Sequence, residues 1–360
     1  MTTPFFDFPE GHRPRRGQLM ASGIILVLFG LGFGLLSVLY LVMMPTLMGS
    51  AMSASPPPAG PGMPTPASMA SLSKFMVLAG VVFGVLSVVL LATGGGSMFL
   101  KRWSRPLSLF IAVVWLLSGL NTLVMNLLTS ANMRKMMAEE FEKAAAAGGG
   151  AGSPAGMPGP EAFFGIMMVI TLASTFIFGV ILPAVVLWLN WHRDVKVTLD
   201  FCDPKPRWTD RCPAPVLGIA LAAAFMALCA PTMVMMPTFP LFGKMVGPPV
   251  SHLFIGGAFV VLAAIAWGAY RCHPAAWAGA LVVVITFGAS WVVSSQDLDL
   301  WREVYASMGF DEVMIEQSMK SLETFLSPGV MWTSVVLYLG PTLAFLFWSR
   351  RFFGRPAEAA

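Results

Sequence analysis

Eight long apolar stretches alternate with short polar segments along the chain, at about 19–44, 75–100, 107–128, 162–189, 214–236, 252–270, 275–294 and 329–348. Each runs close to or beyond the ~20 residues a helix needs to cross a bilayer. Apolar residues fill every helical position rather than one stripe, as in helices whose whole circumference meets lipid or other helices. The pattern predicts an all-α integral membrane protein with eight transmembrane helices. Gly30 and Gly34 in the first span, and Gly80 and Gly84 in the second, have the small-xxx-small spacing that lets helices approach closely.

The polar separators differ in kind. Lys101, Arg102 and Arg105 form one tight basic turn, and Arg271 and His273 mark another. Two low-complexity loops, SASPPPAGPGMPTPAS (53–68) and GGGAGSPAGMPGP (148–160), cannot bury enough to fold alone. Residues 132–147 read as a short separate helix, and a short loop holds Lys244. The acidic segment 296–327 reads as two helical pieces, marked by Trp301, Val304, Met308 and by Ile315, Met319, Leu322. A polar island, WHRDVKVTLDFCDPKPRWTDRCP (191–213), divides the chain. Val195, Val197, Leu199 and Phe201 alternate there with polar residues, a strand pattern, before a proline-punctuated turn region. These boundaries predict a tail at 1–18, a four-helix module at 19–190, a linker at 191–213, a second four-helix module at 214–349 and a tail at 350–360.

Composition sharpens this picture. The 360 residues are 56% hydrophobic and 11% charged, against about 25% charged in soluble domains. The net charge of +4 lacks the dense basic, aromatic-interleaved patch of a nucleic-acid binder. The first apolar stretch is too long for a cleavable signal. With both termini on one side, 15 of the 22 Lys and Arg residues fall on that side; the other side carries 11 of the 18 Asp and Glu. Positive loops stay inside, so termini and island are expected in the cytoplasm, and the bilayer is the first partner.

The order span, outer loop, span, basic turn, span, outer helix, span occurs twice. Val42-Met43-Met44-Pro45-Thr46 answers Val234-Met235-Met236-Pro237-Thr238. Arg105-Pro106 answers His273-Pro274, and Pro183 answers Pro341. Trp191 and Arg193 answer Trp348 and Arg350. These matches point to a tandem duplication, its halves related by an axis along the membrane normal.

The segment DPKPRWTDRCPAPVL (203–217) resembles a central loop of uncharacterised bacterial multi-pass membrane proteins. The turn FLKRWSRPLSLF (99–110) resembles a basic-Trp-Arg-Pro hairpin of small bacterial membrane proteins. The resemblance implies a bacterial inner-membrane location. It brings no activity, cofactor or site residue.

Candidate chemistry is sparse. The mild polar residues of the spans, Asn121, Thr122, Asn126, Thr171, Ser174, Thr175, Thr232 and Ser290, are read as interhelical hydrogen-bonders. Met44, Met48 and Met52 recur every four residues, and Met233, Met235 and Met236 follow Cys229. Such soft donors suit Cu(I), against the plainer reading of methionine as packing filler. His192, Cys202, Cys212, Cys272 and His273 gather on the inner side, but without the close CxxC pairs of structural zinc. No hydrolase elbow, zinc-protease motif, phosphate loop or dinucleotide fingerprint is present, so no catalysis is expected. A docking surface would be sought first at Arg207, Trp208 and Asp210 of the island. The expectation is a non-enzymatic structural, accessory or partner-binding membrane protein, without cofactors, alone, as a homo-oligomer or with a membrane-protein partner. The alternative is a transporter or channel for a neutral or soft solute, copper among them.

Overall fold

In a computed structural model, residues 12–43, 46, 66–146, 160–235, 238–310 and 312–354 are described. The two low-complexity loops lie mostly outside them, as do the first eleven residues and the last six.

Among the described residues, eight helices are long and apolar enough to span a membrane. In chain order α1 is Arg16–Val38, extended by a π-turn at Leu39–Met43; α2 is Pro66–Met98; α3 is Ser104–Ala146. The fourth span is α4 (Pro160–Phe176), a π-turn (Ile177–Ile181) and α5 (Leu182–Trp191). Then come α6 (Arg193–Cys202), α7 (Ala214–Cys229), α8 (Val250–Tyr270) and α9 (Pro274–Ser295). The chain continues with α10 (Leu298–Ser307), α11 (Glu312–Phe325) and α12 (Pro328–Ser349). Large side chains face outward along the spans, Leu35 at 73% exposure and Leu253 at 74%. A soluble monomer would not present so much contiguous apolar surface, whereas lipid covers it without cost.

In each half the first and second spans pack together, and the third and fourth do too. The α1–α2 seam is antiparallel and reciprocal. Ser37 donates to the Gly80 carbonyl at 2.8 Å, and Ser87 donates to the Gly30 carbonyl at 2.7 Å. A Cβ added to Gly23 would lie 2.7 Å from the Gly94 carbonyl oxygen, and one on Gly94 would lie 2.7 Å from that of Gly23. The expected close-packing glycines thus do meet a neighbouring helix, Gly30 and Gly80 at leucines and Gly34 and Gly84 at serines.

The break in span four has a traceable cause. Pro183 has no N–H to give the carbonyl four residues back, Gly179, and its ring crowds that carbonyl. The helix widens there, with Leu182 donating to Ile177 in the five-residue π pattern. Gly179 then lies against Gly119 of α3, so close that a Cβ on Gly119 would run into the Gly179 carbonyl. The two halves meet along α3, which packs against α7, α11 and α12. Gly218 of α7 sits near Phe110 and Phe345.

Three sequence expectations are corrected. Residues 195–201 form helix α6, not a strand. Val195, Thr198 and Leu199 are buried, a helical spacing, and Val195 and Leu199 pack on Leu19 at the foot of α1. A strand would need a partner for its ladder, while a helix satisfies its own backbone beside a membrane. Residues 132–146 continue α3 without a break, giving a helix about 65 Å long, roughly twice the hydrocarbon thickness. Around Lys244 the chain forms a hairpin, β1 (Phe239–Leu241) against β2 (Lys244–Val246). Its turn residues Phe242 and Gly243 both have positive φ, as a two-residue hairpin turn demands. The acidic segment does form two helices, α10 and α11, burying Leu300, Val304, Ile315 and Met319.

Candidate functional site: the polar end of the bundle

The island, both basic turns and the ends of α1 and α12 are joined at one end of the bundle. Arg15 reaches Asp194 at 3.6 Å, and its backbone N–H donates to the Thr198 hydroxyl at 3.1 Å. This ties the start of α1 to α6. Arg102, in the turn between α2 and α3, bridges Asp200 at 3.0 Å and Asp210 at 3.2 Å. Asp203 accepts Arg207 Nε at 3.0 Å and Nη2 at 2.8 Å, a two-pronged pair, and the Arg102 N–H at 3.3 Å. Asp210 also accepts the Arg207 N–H at 2.8 Å, which closes the short 3-10 turn Trp208–Asp210. The Arg207 guanidinium holds the Asp203 carboxyl below the usual carboxylate range and is itself raised by that pairing.

Of the residues proposed for docking, Arg207 and Asp210 are therefore engaged within the chain, and Trp208 remains exposed. Its carbonyl accepts the Tyr270 hydroxyl at 3.2 Å, and its ring lies 6.5 Å from that of Tyr270. These contacts carry the island across to the second half. There Gly354 N–H donates to the Cys272 carbonyl at 3.0 Å, bringing in the end of α12.

Just inside this end lies a polar knot that sequence reading missed. Asn190 is fully buried and donates to Ser22 at 2.6 Å and to the Val186 carbonyl at 2.8 Å. The Asn190 carbonyl accepts Arg105 Nε at 3.1 Å. Ser97 and Ser108 share a hydrogen bond at 3.3 Å between α2 and α3. Serines on apolar helices were the available signal, because membrane helices use them as interhelical glue.

The expected interhelical hydrogen-bonders behave in three ways. Asn126 donates to Thr175 at 3.5 Å, and Asn121 accepts Ser334 at 3.5 Å across the seam between the halves. Thr122, Thr171 and Ser174 bond back to their own helices, and Thr232 bonds to the Cys229 carbonyl. Ser290 instead accepts the Phe242 N–H of the hairpin turn at 3.1 Å, beside Ser294 accepting the Gly243 N–H at 3.1 Å. The hairpin is thereby fastened onto α9.

Among the described residues no three His, Cys, Asp or Glu side chains form a metal-holding group. Cys212 and Cys272 are buried in one apolar cluster. Cys202 receives Arg16 Nη2 at 3.9 Å, and His273 caps α9 through Nδ1, which accepts the Ala275 N–H at 3.3 Å. His192 lies against Trp188. The inner-side zinc set is thus dispersed. Of the copper candidates, Met44, Met48 and Met236 lie outside the described residues, as do Met52 and the Met235 side chain. Cys229 is half-buried, and Met233 is exposed.

Burial pushes the Cys212 thiol up to about 12, the neighbouring Cys272 thiol adding to it. The thiolate is the species that reacts, so at pH 8 Cys212 stays protonated. Iodoacetamide on the folded protein is expected to alkylate the more exposed Cys202 well before Cys212, read by peptide mass spectrometry. Equal rates would contradict the packing of Cys212.

No protein-family model, no curated protein and no solved structure matches this chain, so the resemblance drawn on 203–217 and 99–110 rests on those segments alone.

Proposed function

We propose that this protein is a non-enzymatic, multi-pass membrane protein with a structural, accessory or partner-binding role, its termini and island in the cytoplasm. The observation that carries this reading is where the polar atoms of the spans go. Ser22, Ser37, Ser87 and Asn190 are buried, and each hydrogen-bonds a neighbouring helix. Such groups hold helices together instead of lining a polar path. The cytoplasmic assignment follows from the excess of Lys and Arg at the polar end. A bacterial inner membrane is the setting we favour, on the loop resemblance. A partner contact belongs on the solvent side of the island, where Trp208 stands exposed on a loop fixed by Arg207 and Asp210.

We also read the two halves as a duplication. The turns at 96–101 and 268–273 support it. Leu100 N–H donates to Ser97 and Lys101 N–H to Gly96; Cys272 N–H donates to Ala269 and His273 N–H to Gly268. Leu100 and Cys272, at the matching position, both have φ near +55°. Two non-glycine residues in this rarely occupied region, in the same cap, favour common descent.

A transporter remains the second reading, favoured by the Asn121–Ser334 contact between the halves. Single cysteines at Asn121, Asn126 and Ser290, in a background without the native cysteines, separate the two. The accessory reading expects all three to resist a membrane-impermeant maleimide from either side. Labelling of Asn121→Cys and Asn126→Cys from both sides would replace it with the transport reading.

A further inference from the structure

An apolar cleft of about 420 Å³ opens on the outer surface of the second half, between α7 and α8. Its floor is made of small residues, Ala220, Ala224 and Ala227 on α7 with Ala263 and Ala266 on α8. At the polar end its mouth is framed by Trp208, Trp267 and Tyr270. Leu228 and Phe259 line its deep end. The Arg271 guanidinium lies over the Trp267 ring, 4.9 Å from its centroid.

We propose that this cleft holds one acyl chain of an anionic glycerophospholipid from the leaflet on the side of the termini, with Arg271 meeting its phosphate. Two observations select this occupant. The first is length. From Leu217 to Leu228 the helix rises about 16 Å, roughly half of the ~30 Å hydrocarbon core. A groove of one leaflet's depth fits a lipid tail, whereas a partner helix needs one that runs the full thickness. The second is charge. Arg15, Arg102 and Arg207 each pair with an aspartate of the island. Arg211 of the island and Arg271, Arg350 and Arg351 of the second half have no carboxylate within ion-pair distance among the described residues. Three of them stack on aromatic rings instead: Arg271 on Trp267, Arg350 on Trp277 and Arg351 on Trp348. Tryptophan with arginine at this depth is the signature of a headgroup interface. Arg271, on the Trp267 ring that lines the mouth, thus leaves a positive charge without a carboxylate beside the cleft, and a lipid phosphate completes it. The proposal rests on the eight-span architecture and is independent of the accessory role.

The test uses the full chain, purified in neutral detergent and offered equal phosphatidylglycerol and phosphatidylcholine, with retained lipid read by native mass spectrometry. The wild type is expected to keep one phospholipid per chain and to favour phosphatidylglycerol about fivefold, the weight of one arginine near a lipid surface. Arg271→Gln should retain a lipid but lose the preference. Ala224→Phe, at an exposed position that fills the cleft from outside, should retain neither, with an unchanged melting midpoint as its folding check. Because Arg271 is exposed and outside the packed core, that variant stays informative even where Ala224→Phe fails to fold. No retained lipid, or equal retention of both lipids by the wild type, would overturn the proposal. So would a lipid-free dimer that Ala224→Phe dissociates, which would make the occupant a second copy of this chain.

Discussion

Gly119→Ala is expected to lower the melting midpoint of the detergent-solubilised protein more than alanine at any other span glycine. The new Cβ would run into the Gly179 carbonyl, inside the contact limit of two heavy atoms. The atom it meets is backbone, so no rotamer change relieves the clash. The third and fourth spans must separate, or the π-turn must rearrange. Overpacking of this kind costs about 1–3 kcal/mol, and a backbone collision belongs at the upper end. Gly94→Ala, 2.7 Å from the Gly23 oxygen, is expected to be milder. Gly32→Ala is the control, since nothing lies within 4 Å of its added Cβ, and alanine favours a helix over glycine by up to ~1 kcal/mol. Midpoints measured by thermal aggregation should therefore fall in the order Gly32→Ala, Gly94→Ala, Gly119→Ala. Equal midpoints for the first and last would mean that α3 and the π-turn are not in close contact.

The second large effect is expected at Asp203. Its carboxylate is buried and takes three donors, two from Arg207 and one from the Arg102 backbone. Asp203→Ala leaves that N–H without its acceptor and frees Arg207, loosening residues 203–213 and with them the Trp208–Tyr270 link. Because the Arg207 side chain is about a third exposed, at 36%, solvent screening keeps the loss of global stability small and confines the effect to the island. Limited proteolysis of the detergent-solubilised protein should show faster cutting within the island. The same network has a defined pH dependence. The folded-state carboxyl of Asp203 titrates below its unfolded value, so its contribution is fully present above the ordinary carboxylate pKa of about 3.9 and is lost as pH falls through the folded value. Protease resistance of the island should thus be flat from neutrality to about pH 5 and decline only in stronger acid, and Asp203→Ala should remove that acid-dependent part. An island equally resistant in wild type and variant would refute the pairing.

The spans were legible because a bilayer imposes a length and a composition on whatever crosses it, and Leu19 through Met43 or Val250 through Tyr270 satisfy both without reference to any other segment. The close-packing glycines were legible for a similar reason, since small residues four apart mark one helix face. The α6 helix was not legible. Val-Lys-Val-Thr-Leu-Asp-Phe fits a two-residue and a helical period equally well over so short a run, and the choice was made by Leu19, far away in sequence, on which Val195 and Leu199 pack. The ion pairs of the island were hidden as well. Asp200 and Asp210 gain their partner only when the turn at Arg102, about a hundred residues away in sequence, is brought beside them.

By itself the sequence determined that this is a helical membrane protein of eight spans, with most of its positive charge gathered at one end, because hydrophobicity and charge are properties of each residue against its solvent. Tertiary structure alone decided that Gly119 and Gly179 touch, that Asn190 bonds Ser22, and that Arg271 stands at a cleft while Arg102 is paired. Those outcomes depend on which helix faces meet, and a uniformly apolar helix carries no stripe in its sequence to say which face will turn inward.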